Sequence, residues 1–135
     1  MQDIRWKQRF CNFEKAYFHL KEACSRADTN DWLLAAGIIQ TFEFTFELGW
    51  KTIQDLMKQE GELVRFPREV IKKAFQLGIL IDGECWIDML EKRNGLAHIY
   101  NEKAAIGAVV LIKESYLPAI TQLYDWLKTR SDERD

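Results

Sequence analysis

Residues 38–56, IIQTFEFTFELGWKTIQDL, decide the fold class of this chain. At their centre the run Phe42-Glu43-Phe44-Thr45-Phe46 alternates apolar and polar residues, which is typical of a half-buried strand. The longer segment keeps helical spacing instead, through Ile38, Phe42, Phe46, Gly49, Ile53 and Leu56. We therefore predict one long helix from about Asp31 to Gly61. Because Phe44 and Leu48 fall on another face than Phe42 and Phe46, this helix should be buried between neighbours or lie at a subunit interface.

The N-terminal segment contains one apolar stripe at three- and four-residue spacing. The stripe consists of Trp6, Phe10, Phe13, Tyr17, Leu20, Cys24 and Ala27. It predicts a helix that ends near Ala27. The following Asp28-Thr29-Asn30-Asp31 offers turn chemistry and an N-cap for the long helix.

Caps and breakers place the remaining helices. Pro67 suits the first turn of a short helix that ends before Gly78, and Asp82 is a plausible cap for a fourth helix. Asn101 can cap a last long helix, in which Pro118 should introduce a kink. With seven glycines and two prolines in the chain, few long elements are favoured over many short strands. We predict an all-α, up-and-down bundle of about five helices.

Composition limits the domain count and the class of partner. With 135 residues, 47% of them hydrophobic, we expect one domain over residues 1–128 and a charged tail over 129–135. A formal charge of -2 argues against a general DNA-coating role, so any polynucleotide contact must use a local basic patch. The only dense basic cluster is formed by Arg65, Arg68, Lys72 and Lys73. It is either solvated surface or a steering patch for RNA or a nucleotide.

The cysteines and the apolar runs bear on location. Cys11, Cys24 and Cys85 are widely separated and form no C-x-x-C pair, so we expect no metal site and free thiols in a reducing cytoplasm. The start of the sequence shows no apolar leader, and no apolar run reaches the roughly 18 residues that span a bilayer. We expect a cytoplasmic protein with no membrane contact. No glycine-rich phosphate loop is present, and no cofactor is expected.

The chemistry concentrates in residues 93–100, RNGLAHIY, which combine a permanent cation, an amide, a histidine and a phenol. Such groups can grip phosphate and move protons. At about 100° per residue, Arg93 and His98 diverge by about 140° on a straight helix. Either Gly95 loosens the backbone, or the run crosses a helix end, or two subunits bring their copies together.

These residues match the R-x-x-x-x-H-x-Y signature of the HEPN superfamily. Three further blocks, in family order, resemble the branch that is the substrate-binding or toxin partner of a minimal nucleotidyltransferase. They are Thr41–Thr52, similar to F-E-x-x-x-E-L-x-W-K, Pro67–Ile71, similar to P-R-x-V-I, and Trp86–Leu90 before the signature. The resemblance implies a HEPN-type bundle that forms a homodimer and is usually encoded beside the nucleotidyltransferase. The chain has no nucleotidyltransferase motif of its own.

The resemblance also implies roles for the signature residues. Arg93 would hold a phosphate and His98 would exchange the proton of a ribose 2′-hydroxyl, which is metal-independent RNA cleavage. Asn94 would orient the phosphate or the histidine. Tyr100 matches the position where the partner enzyme attaches adenylate in the toxin branch.

Simpler interpretations stand beside these roles. Asn94 and His98 can form a polar pair in the core, and Arg93 can pair with Glu91 or Asp88 on the surface.

A second set of polar residues lies on the long helix. Glu43, Glu47 and Lys51 are spaced by four, which is typical of an ion-pair ladder on a helix surface. Alternatively, with Trp50 beside them, they line a groove or contact the partner.

Two function classes follow from the sequence. One is a ribonuclease toxin silenced by modification of Tyr100, which is our main hypothesis. The other is a non-catalytic dimer that presents substrate to the nucleotidyltransferase.

Overall fold

The computed structural model describes residues 3–26, 31–97 and 101–133, and within them every regular element is helical. The elements are α1 (Asp3–Ser25), α2 (Trp32–Gln59), α3 (Pro67–Gln76), α4 (Gly83–Ala97), α5 (Glu102–Leu111), a π-helix (Ile112–Tyr116) and α6 (Leu117–Asp132). The last three follow each other without a break and form one rod. The described residues thus contain five helical rods, which confirms the all-α prediction.

The segment that alternates like a strand lies in the middle of α2, which is 28 residues long. At its start the Asp31 carboxylate accepts hydrogen bonds from the backbone N–H groups of Leu33 and Leu34, both at 3.1 Å. This is the predicted N-cap. Phe42 and Phe46 are completely buried, so helical spacing and not alternation sets the inward face.

α2 occupies the centre of the bundle and contacts each of the other α-helices. Gly49 marks the closest approach. A Cβ atom at this position would lie 3.1 Å from Phe13 of α1 and 3.3 Å from Trp86 of α4. The absence of a side chain therefore lets three helices meet at one level of the core.

Phe44 departs from the expectation that α2 is buried on two faces. Its side chain is 63% exposed, and Leu48 is only half-buried. Within one chain the prediction is wrong for Phe44, because no other helix in the described part of the chain covers this face of α2. The alternative of a subunit interface stays a prediction.

The predicted stripe of α1 lies in the core. Trp6, Phe10, Phe13, Tyr17, Leu20 and Cys24 are all buried. The helix ends at Ser25, and residues 27–30, which include Ala27, lie outside the described residues.

Local chemistry sets the ends of α3 and α4 as predicted. Pro67 opens α3, and Gly78 follows it with a φ of +79°, the left-handed conformation that favours glycine. The Asp82 side chain accepts a hydrogen bond of 3.0 Å from the backbone N–H of Cys85 and so caps α4.

The last rod begins as predicted, because the Asn101 side chain accepts from the backbone N–H groups of Lys103 at 2.8 Å and Ala104 at 3.2 Å. The interruption expected at Pro118 takes the form of a π-helical turn directly before it. Proline has no N–H to continue the α-helical hydrogen bonds, and a wider turn accommodates the loss. α6 then continues to Asp132, into the charged tail expected over 129–135.

By length and composition the helical stretch Glu102–Asp132 is apolar enough to cross a membrane, contrary to the expectation that no stretch is. Its inward side chains are part of the bundle core. They include Val109, Ile112, Ile120, Leu123 and Leu127, each at most 7% exposed. A core helix of a helical bundle has the same composition, so the stretch does not by itself indicate a membrane protein.

Candidate functional site

Arg93, the first residue of the signature, lies on α4 and reaches across to α2. Its guanidinium Nη1 donates a hydrogen bond of 2.6 Å to Oε1 of Glu47. The Arg93 side chain is 22% exposed and that of Glu47 is 33% exposed. The pair is therefore partly shielded from water, where a charge-assisted hydrogen bond is stronger than on an open surface.

Two more residues of α2 hold this ion pair in place. The indole Nε1 of Trp50 donates to the second carboxylate oxygen of Glu47 at 3.0 Å. The guanidinium carbon of Arg93 lies 5.7 Å from the centre of the Phe46 ring, in the range of a cation–π contact. Since Phe46, Glu47 and Trp50 lie on consecutive turns of one helix, the guanidinium is positioned by a rigid element.

The simpler interpretations of these residues are not what the structure shows. In the described part of the chain, no ion pair joins Glu43, Glu47 and Lys51. Glu47 turns to Arg93 instead, and the Lys51 ammonium lies 5.9 Å from the centre of the Trp50 ring.

The acidic residues near Arg93 on α4 form ion pairs with other cations. Glu91 pairs with Arg68 at 3.2 Å, and Asp88 pairs with Lys92 at 3.3 Å. The position of Arg93 is therefore set by α2.

The signature continues from Arg93 through Asn94 and Gly95 to His98 and Tyr100. His98 and Tyr100 lie outside the described residues. Residues 93–97 are helical, so Gly95 does not loosen the backbone up to that point, and Asn94 is exposed.

The basic cluster is partly neutralised. Arg68 pairs with Glu91, and Lys73 lies 3.8 Å from Glu62. Arg65 and Lys72 are exposed. The free positive charge near α3 is smaller than the sequence suggests, which weakens the case for RNA steering there.

A polar pair between the buried Tyr116 and the partly exposed Asp88 of α4 was not expected from the sequence. The Tyr116 hydroxyl, in the π-helix, donates to Oδ2 of Asp88 at 2.5 Å, and its ring stacks on Phe42 at 5.0 Å. Burial, and then the hydrogen bond to Asp88, raise the pKa of Tyr116 well above its usual value. In the sequence Tyr116 was only one member of an apolar stripe, and nothing there links it to Asp88, 28 residues earlier.

Cys85 lies close to this pair. Burial, followed by the charges of Asp82 and Asp88, raises the pKa of its thiol to about 11. The thiol therefore stays protonated at neutral pH and is a poor nucleophile. In the described residues no group of three or more histidine, cysteine or acidic side chains could hold a metal ion.

Comparison with known proteins identifies the family of this chain. Residues 8–129 match the model of a family described as nucleotidyltransferase substrate binding protein like. The chain belongs to this family. The matched region extends from α1 into α6 and includes both Glu47 and Arg93.

Three matches extend the comparison. A Haemophilus influenzae protein named probable ribonuclease HepT is 22% identical over 133 residues, with 87% of this chain and 90% of that protein covered. A Thermus thermophilus protein of known crystal structure is 30% identical, with a TM-score of 0.72 and coverage of 90% of this chain and 99% of that one.

The third match is the solved structure of HI0074, also from Haemophilus influenzae, which is described as the fold of a substrate-binding domain of a nucleotidyltransferase. It is 22% identical with a TM-score of 0.76, and 88% of this chain and 98% of that one are covered. At this identity it supports the fold alone.

Proposed function

We propose that this chain is the HEPN-type partner of a minimal nucleotidyltransferase encoded beside it, and that it acts as a metal-independent ribonuclease toxin in the cytoplasm. The observation that carries the proposal is the geometry of Arg93, a cation of the signature that is held by Glu47 and Phe46 yet remains partly exposed. One relative bears the name probable ribonuclease HepT, which points to the same activity.

The chemistry follows from the residue types. Arg93 binds the scissile phosphate and stabilises the negative charge that develops on it. His98 removes the proton of the ribose 2′-hydroxyl, whose oxygen attacks phosphorus while the bond to the 5′-oxygen breaks. The products are a 2′,3′-cyclic phosphate and a 5′-hydroxyl, whose oxygen takes its proton from water, while the protonated His98 returns its proton to the solvent. Asn94 orients the phosphate or the histidine.

A homodimer supplies the complete site in this proposal. α4 ends at Ala97, before His98, and on a straight helix the side chains of Arg93 and His98 would in any case diverge by about 140°. A second chain therefore brings its own His98 to Arg93. Phe44 is 63% exposed one turn before Glu47, and Val110 of α5 is 42% exposed. These exposed apolar side chains on α2 and α5 offer contacts to a second copy. Sedimentation should find two chains, and Phe44→Glu should shift the protein towards a monomer.

The decisive experiment measures cleavage of single-stranded RNA by purified protein in the presence of a metal chelator. The wild type should produce cyclic-phosphate ends, and His98→Ala should abolish the activity. His19→Ala is the matched control, because His19 is the other histidine of the chain and is exposed on α1. Equal loss in both variants, or full activity of folded His98→Ala, would contradict the role of His98.

The proposed control is adenylylation of Tyr100 by the nucleotidyltransferase. Phosphate attached there competes with RNA for Arg93, because both residues belong to the signature and are only seven positions apart in the sequence. Incubation with the partner, ATP and magnesium should add one adenylate, detected by intact mass. Tyr100→Phe should remain unmodified and active. Adenylate on another residue would argue against this switch.

A second candidate function is that of a substrate-binding subunit without chemistry of its own. Arg93 already has a carboxylate partner at 2.6 Å, so a phosphate must compete with Glu47 for it. The family description and the description of HI0074 both refer to substrate binding. A wild-type protein that binds the nucleotidyltransferase but leaves RNA intact would favour this candidate.

A further inference from the structure

A groove separates α3 from the N-terminal half of α4, away from the Arg93–Glu47 pair. Its volume is about 550 Å³. The apolar part of its lining comes from Ile71, Phe75, Ile81 and Ile87, and the charged part from Lys72, Asp82, Glu84, Asp88 and Glu91. We call it the α3–α4 groove.

The groove opens beside an unusual density of exposed apolar side chains. Phe75 is 53% exposed, Leu77 51% and Ile81 72%, all in or next to the turn between the two helices. Isolated exposed apolar residues are common on soluble proteins, whereas a contiguous group marks an interaction site.

The apolar wall of the groove is built by close packing. A Cβ atom on Gly83 would lie 2.9 Å from the Phe75 ring, so that ring rests directly on the backbone at the start of α4. The turn itself is braced from α6. Gln122 accepts a hydrogen bond of 3.2 Å from the backbone N–H of Ile81 and donates one of 3.0 Å to the carbonyl of Ile79. Ile81 is thus presented by a fixed backbone, which lowers the entropic cost of binding.

The charge of the lining decides the class of occupant. The lining contains four carboxylates and a single lysine, Lys72, so its charge is net negative. Asp88 and Glu91 have cationic partners in the chain, at 3.3 and 3.2 Å. Glu84 has no ion pair among the described residues. An acidic rim repels the phosphates of RNA and complements lysine or arginine on a protein.

The position of the groove on α4 separates it from the signature. Glu91 lies two residues before Arg93, and Glu84 lies nine residues before it. Around the helix axis the two glutamates are therefore about 160° and 180° away from Arg93. The groove and Arg93 therefore lie on opposite sides of α4.

We propose that the α3–α4 groove is the docking site for a segment of the nucleotidyltransferase that presents a large apolar side chain flanked by lysine or arginine. The proposal rests on the proposed partnership with that enzyme and names the surface that it uses. The apolar side chain fills the space between Phe75, Ile81 and Ile87, and the flanking cation meets Glu84.

The test is calorimetric titration of the purified chain with the separately purified nucleotidyltransferase. Ile81→Glu places a charge in the apolar wall, and Glu84→Lys reverses the rim charge. Each should weaken binding about tenfold or more. Leu63→Glu is the matched control for Ile81→Glu, because Leu63 is 69% exposed and does not line the groove. It should bind within roughly threefold of wild type. Circular dichroism checks that each variant folds.

The outcomes separate this proposal from the proposed function. A wild-type chain that fails to bind the nucleotidyltransferase overturns the partnership and the docking site with it. Wild-type affinity in both groove variants overturns the groove alone and leaves the partnership intact. If Ile81→Glu changes the number of chains in the free protein while the partner still binds, the groove belongs to a second copy and the proposal fails. Selective loss of partner binding with unchanged RNA cleavage supports it.

Discussion

Replacing Glu47 with glutamine should lower the free energy of unfolding by about 1–2 kcal/mol. The amide keeps the shape of the side chain and an acceptor for Arg93, 2.6 Å away in the wild type. It loses the negative charge. Of the two bonds at this side chain, the one from Trp50 Nε1 depends less on that charge, because the indole is neutral.

The magnitude follows from the surroundings of the pair. Opposite unit charges about 4 Å apart attract by about 1 kcal/mol in water. Near a protein surface, where the effective dielectric constant is lower, they attract by about 4 kcal/mol. With side chains 33% and 22% exposed, Glu47 and Arg93 lie between these limits. The glutamine recovers part of the interaction as a neutral hydrogen bond. The melting temperature should fall by roughly 3–7 °C for a chain of this size.

A double-mutant cycle in urea isolates the pair. It compares wild type, Glu47→Gln, Arg93→Met and the double variant, since methionine keeps the apolar contact with Phe46. We expect a coupling energy of about 1–2 kcal/mol. Glu43→Gln is the control, because Glu43 lies one turn earlier, is also half-buried and has no ion pair among the described residues. A coupling below about 0.5 kcal/mol, or an equal effect of Glu43→Gln, would refute the reasoning.

Three further changes test the fold by urea unfolding. Asp31→Ala removes the cap of α2 and should cost about 1 kcal/mol, with Asp31→Asn as the near-neutral control. Gly49→Ala should destabilise by about 1–3 kcal/mol despite the better helix propensity of alanine, because the new Cβ lies 3.1 Å from Phe13. Tyr116→Phe should cost about 1.5–3 kcal/mol through the lost bond to Asp88. Since the pKa of Tyr116 is raised on folding, its contribution is complete below pH about 10 and is lost as the pH rises further, so the variant should show a shallower alkaline decline.

The helices were predictable because their determinants are local. The stripe of α1 and the caps Asp31, Asp82 and Asn101 act within a few residues, and the structure confirms them. The exposure of Phe44 was not predictable, because it depends on which neighbours cover that face of α2. Similarly, proline predicts an interruption of the last rod but not that a π-helical turn accommodates it.

The candidate site was predictable in its members but not in its contacts. The sequence indicated Arg93 from the signature and Glu47 from a separate block. It predicted an ion-pair partner for each residue on that residue's own helix. Their contact joins residues 46 positions apart, so it depends on how α4 packs on α2. Periodicity along one helix contains no such information. The roles of His98 and Tyr100 stay predictions.

The arrangement of α4 constrains how the partner can control activity. Arg93 faces α2, while Glu84 and Glu91 face the α3–α4 groove, about 160–180° away around the helix. A partner segment docked in the groove lies on the opposite side of α4 from Arg93, so we expect that docking by itself does not silence cleavage. Silencing then requires a change near the signature, which the proposed adenylate on Tyr100 would supply. In a cleavage assay the nucleotidyltransferase without ATP should therefore leave the rate unchanged. Full silencing without ATP would contradict this division of α4 into two faces.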